Sequence, residues 1–313
     1  MSEDRIPNAF LIGVQKAGTT TLYDWLSQHP EIYGLNEFKD VDFFADPERS
    51  KKSKELLQKA FKDHNNEPVI LQSFVNYLLY ENALSEMYKL CPNARLIVIL
   101  RNPVDRAFSA YHHFKKFNKE IKNIENALLY IPKDNIEFSI KNNDFTYIEH
   151  GFYYKQLKKL FQIFSPEKVL ILEFDDLKKQ PNILLKKVYD FLEISDSFYP
   201  TLIAKNVTGQ IKNQWIQKTL TTSGTLRKML IKYTIGLLLS DGKRRLIRYK
   251  LIEYNTKKKQ SLDKTFTEEE TKIRLALTKI FLPDVMKLDE LLGTQFKTKW
   301  FGDLQVLQNN AHT

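Results

Sequence analysis

Four short stretches of the chain are apolar at nearly every position: Ala9–Val14, Pro68–Gln72, Ala94–Leu100 and Lys168–Phe174. Runs of that length, rich in β-branched residues, are the pattern of parallel strands covered on both faces. Between them, apolar residues recur at helical spacing over Thr20–Gln28, Asn82–Leu90, Val104–Phe117 and Tyr153–Phe164. Alternating strands and helices require crossover connections, so the pattern predicts an α/β fold: a P-loop-type parallel sheet with helices on both faces. Ligands of such sheets sit beyond the carboxyl ends of the strands, which directs attention to Val14 and Leu100. After residue 205 the texture changes. Residues 221–260 mix Lys and Arg with apolar residues, and "TEEETK" from Thr267 places acids in the first turn of a further helix. No repeat or low-complexity linker interrupts the chain. It reads as one domain over 1–313, with a nucleotide-binding core over 9–215 and a basic, mainly helical elaboration over 216–313.

The first strand runs into Gly13-Val-Gln-Lys16-Ala-Gly18-Thr19-Thr20-Thr21, with a helix beginning by Leu22. The two glycines keep the spacing of the kinase-type loop G-x-x-x-x-G-K-[ST], but Thr19 stands where the lysine belongs and the lysine, Lys16, lies inside the loop. A helix N-terminus presents free N–H groups and a partial positive charge to phosphate or sulfate. In the kinase arrangement the hydroxyl after the lysine helps to hold Mg²⁺ against a polyphosphate. A sulfuryl group carries less charge than a terminal phosphoryl, and one lysine balances the charge that develops on the leaving phosphate.

The strand "RLIVIL" ends at Leu100, and Arg101 follows at its tip. Asn102 suits an N-cap, Pro103 the first helical position, and Asp105 the first turn. Arg101 and Ser109, two turns into that helix, suit a second phosphate, because the planar fork of Arg binds phosphate through two hydrogen bonds. A kinase more often ends this strand in an Asp that holds Mg²⁺.

Charge and composition narrow the field only slightly. A net charge of +10 favours anionic partners without choosing among nucleotides, nucleic acid, acidic glycans and membrane surfaces. Cys91 is the only cysteine, so neither an internal disulfide nor a cysteine-based zinc site is expected. The N-terminus lacks a secretory pattern and no run approaches the ~18 apolar residues of a membrane span. A cytosolic protein without stable membrane insertion is the expectation.

Taken together, "QKAGTTTL" and "RLIVILRNPVDRAFSAY" resemble the 5′-phosphosulfate loop and the 3′-phosphate motif of the sulfotransferases that use 3′-phosphoadenosine 5′-phosphosulfate (PAPS). The resemblance is nearest to the heparan-sulfate-type branch and its bacterial relatives. It implies that Lys16, Ala17, Gly18, Thr19, Thr20 and Thr21 hold the 5′-phosphosulfate, and that Lys16 also stabilises the leaving phosphate. Arg101 and Ser109 would hold the 3′-phosphate. Looser echoes are "HGFYYKQLKKLFQIFSPEKVLILEFDDLKKQP" at 150–181, "KNVTGQIKN" from Lys205, which would bring Gly209 and Lys212 to the nucleotide, and "LLGTQFKTKW" ending in Trp300. The implied chemistry is in-line attack of a hydroxyl or amine on sulfur, with release of 3′-phosphoadenosine 5′-phosphate (PAP) and no metal.

The acceptor side departs from the family. Its Lys-Glu-x-His-Phe-Phe stretch is here Lys39-Asp40-Val41-Asp42-Phe43-Phe44, so Asp40 stands for the glutamate base and Asp42 for the histidine. Its Glu-Lys-Ser-Pro stretch is here Leu71-Gln72-Ser73-Phe74, so an expected lysine is missing. Both changes suggest an acceptor unlike heparan sulfate. Histidine is the rival base: His112 and His113 both lie one helical turn beyond Ser109. His150, Phe43, Phe44, Tyr77, Tyr153 and Tyr154 are either acceptor-lining or core. The basic segment 226–252 reads as a lid over the acceptor, as a face for a carrier protein or membrane, or as ordinary amphipathic packing.

The leading expectation is therefore a PAPS-dependent sulfotransferase acting on a small-molecule, natural-product or sugar acceptor. The rivals are a P-loop kinase using Mg-ATP and a non-enzymatic basic binding protein. Against the last stands the absence of any recognisable nucleic-acid module in the sequence.

Overall fold

The structure, a computed structural model, describes residues 6–35, 39–117, 119–120, 122–130, 146–202, 209–211, 256–258 and 266–302. Five parallel strands form its sheet: β1 (Ala9–Gly13), β2 (Ile32–Gly34), β3 (Val69–Ser73), β4 (Arg95–Leu100) and β5 (Val169–Glu173). Their spatial order is β2-β3-β1-β4-β5. β1 and β3 are buried along their whole length and β4 at all but its first residue. Helices cover both faces, which is why these strands read as unbroken apolar runs. The expectation of a parallel α/β sheet holds. β2, the additional strand, escaped the sequence pattern because three residues at a sheet edge are too few to display a period.

The chain leaves β1 for β2 and β3 on one side and then crosses to β4 on the other. The strand order therefore reverses at β1, and the crevice beyond the carboxyl ends of β1 and β4 is where an open sheet offers a ligand site. The β1–β4 register shifts between Leu11 and Gly13, so β1 leaves the ladder as its loop begins.

Two helices start at this edge. α1 (Thr19–Leu26) has Gly18 as its N-cap at φ 86°, with no side chain capping its first amides. A side chain at residue 18 would meet the Phe174 ring at 3.0 Å as well as the left-handed backbone, so glycine is required twice over. The 103–116 helix (Pro103–Lys116) starts as its sequence signals. The Asn102 side chain accepts hydrogen bonds from the amides of Val104 (2.9 Å) and Asp105 (3.2 Å), and Pro103 occupies the first turn.

A long helix, Glu268–Leu292, opens with a reciprocal capping box between Thr267 and Glu270 and ends at Gly293 in the left-handed conformation. It packs on the helices Tyr153–Ile163 and Pro103–Lys116 and is followed by a short helix, Phe296–Phe301. Side chains fasten this unit to the sheet edge. Arg274 pairs with Asp105 at 2.7 Å, Asn102 Nδ2 donates to the Trp300 carbonyl at 2.8 Å, and Trp300 Nε1 donates to Glu173 at 3.2 Å. Among the described residues no helix is long and apolar enough to cross a membrane.

Candidate functional site

The loop between β1 and α1 is shaped by its own backbone. Lys16 adopts φ 68°, and Ala17 N donates to the Val14 carbonyl at 3.1 Å. Arg101 reaches across from the tip of β4 and donates from Nη1 to the Lys16 carbonyl at 2.8 Å. Its guanidinium lies 4.5 Å from the centroid of the Phe174 ring, the ring that also backs Gly18. The Tyr153 hydroxyl donates to the Arg101 carbonyl at 2.8 Å, fixing the strand end from beneath. The two motifs read separately in the sequence thus form one connected structure.

Lys16 lies at the centre of a field of cations. Burial, followed by Arg101, Lys116, Lys39 and Arg106, lowers its pKa from 10.5 to about 7. Each of the four named side chains is basic. Arg106 is fully buried and donates to the Tyr147 carbonyl, and burial lowers its own pKa to about 10. Lys39 places Nζ 3.2 Å from Thr20 Oγ1 and 3.4 Å from Thr19 Oγ1, and also 3.4 Å from Asp40. A group of converging cations, several of them desolvated, is built for an anion that carries more than one negative charge.

On the β4 side, a cleft of about 320 Å³ opens next to Arg101. Asn102, Phe174, Lys178, Lys299 and Trp300 are among its walls. Trp300 stacks on Phe296 at 4.2 Å between ring centroids, and Lys178 lies 4.0 Å over the Phe174 ring. Among the described residues no group of three or more His, Cys, Asp or Glu is arranged to hold a metal ion.

Residues 7–234 match the family model described as the sulfotransferase domain, which is well over half the chain. The chain belongs to the sulfotransferase family. It is 24% identical over 214 residues to the bifunctional heparan sulfate N-deacetylase/N-sulfotransferase 1 of Caenorhabditis briggsae, covering 64% of this chain and 24% of that protein. It is 26% identical over 193 residues to the heparan sulfate glucosamine 3-O-sulfotransferase 5 of Mus musculus, covering 61% of this chain and 54% of that protein. The chain thus spans about a quarter to a half of the length of these relatives. Among solved structures, a sulfotransferase from Alicyclobacillus acidocaldarius superimposes with a TM-score of 0.62 at 22% identity, over 94% of this chain and 98% of the other. That likeness speaks for the fold.

Within this member of the sulfotransferase family the expected site residues occupy distinct places. Thr19, Thr21 and Ala17 are buried in the loop and the first turn of α1, and Lys16, Gly18 and Thr20 are half-buried. Ser109 is buried on the same helix face as Arg106, three residues away. Asp40 is half-exposed and forms an isolated parallel bridge with Ser73 at the end of β3, which sets it beside the Lys16 loop through Lys39.

Asp42 is turned into its own loop, where its carboxylate accepts from the amides of Phe44 (3.1 Å), Ala45 (2.8 Å) and Asp46 (2.8 Å). Gln72 is buried and donates to the Val41 and Ser73 carbonyls at 2.8 and 2.9 Å. Phe43, Phe44 and Tyr77 are core residues, with Tyr77 accepting from the Phe43 amide at 3.1 Å. Tyr153 and His150 are also buried, and His150 Nδ1 lies 2.8 Å from the Thr146 carbonyl.

The two helix histidines separate clearly. His112 is exposed, whereas His113 is half-buried and its pKa is lowered to about 3 by burial and then by Lys16, Lys116 and Lys119. Gly209 lies in a short strand, Gly209–Ile211, paired antiparallel with Thr256–Lys258. Lys212 and the basic segment 226–252 lie outside the described residues.

Sequence reasoning did not single out Lys39, Arg106 and Lys116 as site residues. Arg106 and Lys116 stand three residues before and seven after Ser109, so helical period alone would have found them. Lys39 has no periodic signal; it keeps the lysine of the family's Lys-Glu-x-His-Phe-Phe stretch, and only the fold brings it to Thr19 and Thr20.

Proposed function

We propose that this sulfotransferase moves the sulfuryl group of PAPS onto a hydroxyl or amine of a small-molecule, natural-product or carbohydrate acceptor and releases PAP. The observation that carries this reading is the convergence of Lys16, Lys39, Lys116, Arg101 and Arg106 on one loop at the switch point of the sheet. The residues present fit the nucleotide. Arg101 and Ser109 are the proposed holders of the 3′-phosphate. Lys16, Thr19, Thr20 and the open amides of α1 take the 5′-phosphosulfate, and Gly209 and Lys212 are assigned to the nucleotide by the family pattern.

In the transfer, Asp40 accepts the proton of the acceptor hydroxyl as its oxygen bonds to sulfur. The bridging S–O bond breaks, its electron pair goes to the 5′-phosphate oxygen, and Lys16 stabilises the charge that collects there. Of the rival histidines, His112 faces solvent, and burial with Lys16, Lys116 and Lys119 lowers the His113 pKa to about 3, which makes its imidazole a weak proton acceptor and favours Asp40 as the base. The fastening of the 268–301 helices to Asp105, Asn102 and Glu173 supports reading residues 1–313 as one domain.

Thermal unfolding with PAP, ADP or ATP, each with Mg²⁺ and with EDTA, tests the reading. PAP at 100 times its Kd stabilises by about 2.7 kcal/mol, a rise of several degrees that EDTA leaves intact. Stabilisation by ATP alone, dependent on Mg²⁺, replaces the reading by a kinase. No response to any of the three, with salt-sensitive binding of DNA or RNA, replaces it by a binding protein.

The state of Lys16 adds a pH signature. Free Lys16 has lost much of its proton above pH 7, and the phosphates of PAP restore it. As far as Lys16 sets it, PAP affinity is therefore full near pH 7 and falls by up to tenfold per pH unit above it, as the proton taken up on binding becomes harder to obtain. Calorimetry at pH 8 in buffers of different ionisation enthalpy is expected to show uptake of up to one proton. A binding enthalpy independent of the buffer would place Lys16 outside the anion site.

A further inference from the structure

The three central strands order the site from side to side. Arg101 leaves the tip of β4, Lys16 lies in the loop after the middle strand β1, and Asp40 bridges to Ser73 at the tip of β3. A donor held by its 3′-phosphate at Arg101 and by its 5′-phosphate at the Lys16 loop therefore points its sulfonate towards β3. Lys39 is the cation on that side. Its side chain is only 13% exposed while that of Asp40 is 48% exposed, so the ammonium faces the loop and the carboxylate faces outward.

The ammonium is also incompletely satisfied. Its contacts with Thr19, Thr20 and Asp40 all lie between 3.2 and 3.4 Å, beyond the 2.7–2.9 Å of a strong charge-assisted hydrogen bond. Burial lowers its pKa, and Asp40 offsets that only in part. One ammonium has three protons, so an arriving anion takes one of them from these four loose contacts and leaves two protons for the threonine hydroxyls and the carboxylate.

The geometry points to Lys39 as the residue that binds the sulfonate of the donor and so distinguishes PAPS from PAP, while also holding Asp40 on the acceptor side. This assignment rests on the PAPS reading given above and deepens it. Lys16 contacts a group that substrate and product share. Lys39 contacts the group that the reaction removes. Loss of the sulfonate then leaves Lys39 with Asp40 and the threonines alone, which weakens the hold on the product relative to the substrate.

The test compares Kd values for PAPS and PAP, measured by calorimetry in EDTA without acceptor, for the native protein, Lys39→Met and Lys39→Arg. Lys39→Met keeps the apolar stem, and its unfolding temperature is measured alongside. The expected result is a loss of about tenfold in PAPS affinity in Lys39→Met, with PAP affinity changed by less than about twofold and the PAPS preference largely restored in Lys39→Arg. Equal losses for both nucleotides, or no loss for either, overturn the assignment while native binding of PAP leaves the donor site standing. If Lys39→Met does not fold, the PAPS-to-PAP preference of the polar, uncharged Lys39→Gln and of Asp40→Asn decides. A lowered PAPS preference in Lys39→Gln with a native one in Asp40→Asn supports a direct contact, and any other combination overturns it. A native protein that binds neither nucleotide removes the PAPS reading and this assignment together.

Discussion

Replacing Lys16 by alanine is expected to lower the rate of PAP formation by about 10²–10³-fold, the usual effect of removing one preorganised group from a developing negative charge. The protein is expected to stay folded, and at neutral pH to melt at a higher temperature than the native form. The sign follows from the pKa. In the folded protein Lys16 titrates near 7, against 10.5 for an ordinary lysine. Between those values the unfolded chain binds more protons than the folded one, so the native Lys16 destabilises the fold. That cost is complete below about pH 7 and fades as pH rises towards 10.5. Alanine removes the cost without adding backbone strain, because residue 16 already sits at φ 68° with a side chain. The gain in melting temperature should therefore shrink from pH 7 to pH 10. PAP release is followed with whichever acceptor supports turnover in the native protein. Near-native turnover in Lys16→Ala would sink the proposed role, and a fall in melting temperature would show that Lys16 supports the loop structurally.

The largest expected effect on stability lies at Gly151. A Cβ there would come within 2.5 and 2.7 Å of Phe281 ring carbons and 3.1 Å of Pro103 Cβ. Phe281 is fully buried on the Glu268–Leu292 helix, and Pro103 opens the helix that carries Ser109. Neither can retreat without moving a helix. Gly151→Ala is therefore expected to cost about 1–3 kcal/mol, the range for overpacking a filled interior. Chemical denaturation reads this as a lowered midpoint at unchanged slope. The double variant Gly151→Ala with Phe281→Leu should recover part of the loss, because leucine vacates the ring positions the new methyl would strike. A single variant as stable as the native protein would show that the 268–292 helix is not held against the turn at residue 151.

These contacts also show where sequence reading stops. The strands that carry the site were legible because burial on both faces removes polar residues from β1, β3 and β4. The start of the 103–116 helix was legible because capping is local chemistry: Asn102 and Pro103 satisfy the amides beside them. The loop itself was legible through two glycines and a lysine at fixed spacing. The cation cluster was not, since Lys16, Lys39, Arg101 and Lys116 are separated by 23, 62 and 15 residues in turn and meet only through the fold. Aromatic residues next to a motif carry equal signals for pocket and core, and for Phe43, Phe44 and Tyr77 the structure places them in the core. His112 and His113 are both one turn from Ser109 by spacing, and only the packing of the helix turns His113 to Lys16 and His112 to solvent.

The loop that bears Asp40 has a property of wider reach. It carries its own scaffolding: the Asp42 carboxylate gathers three of its amides, Arg49 donates to the Asp42 carbonyl at 3.0 Å, and Gln72 anchors Val41 to β3. The proposed nucleotide end of the site depends instead on Arg101, Phe174 and Tyr153 around β4. The two halves of the site are thus built by separate sets of bonds and meet at Lys39 and the threonines. On the proposed assignment, a lineage can rewrite residues 40–46 to suit a new acceptor and leave the donor's cradle untouched, so long as the lysine at the hinge between them is kept.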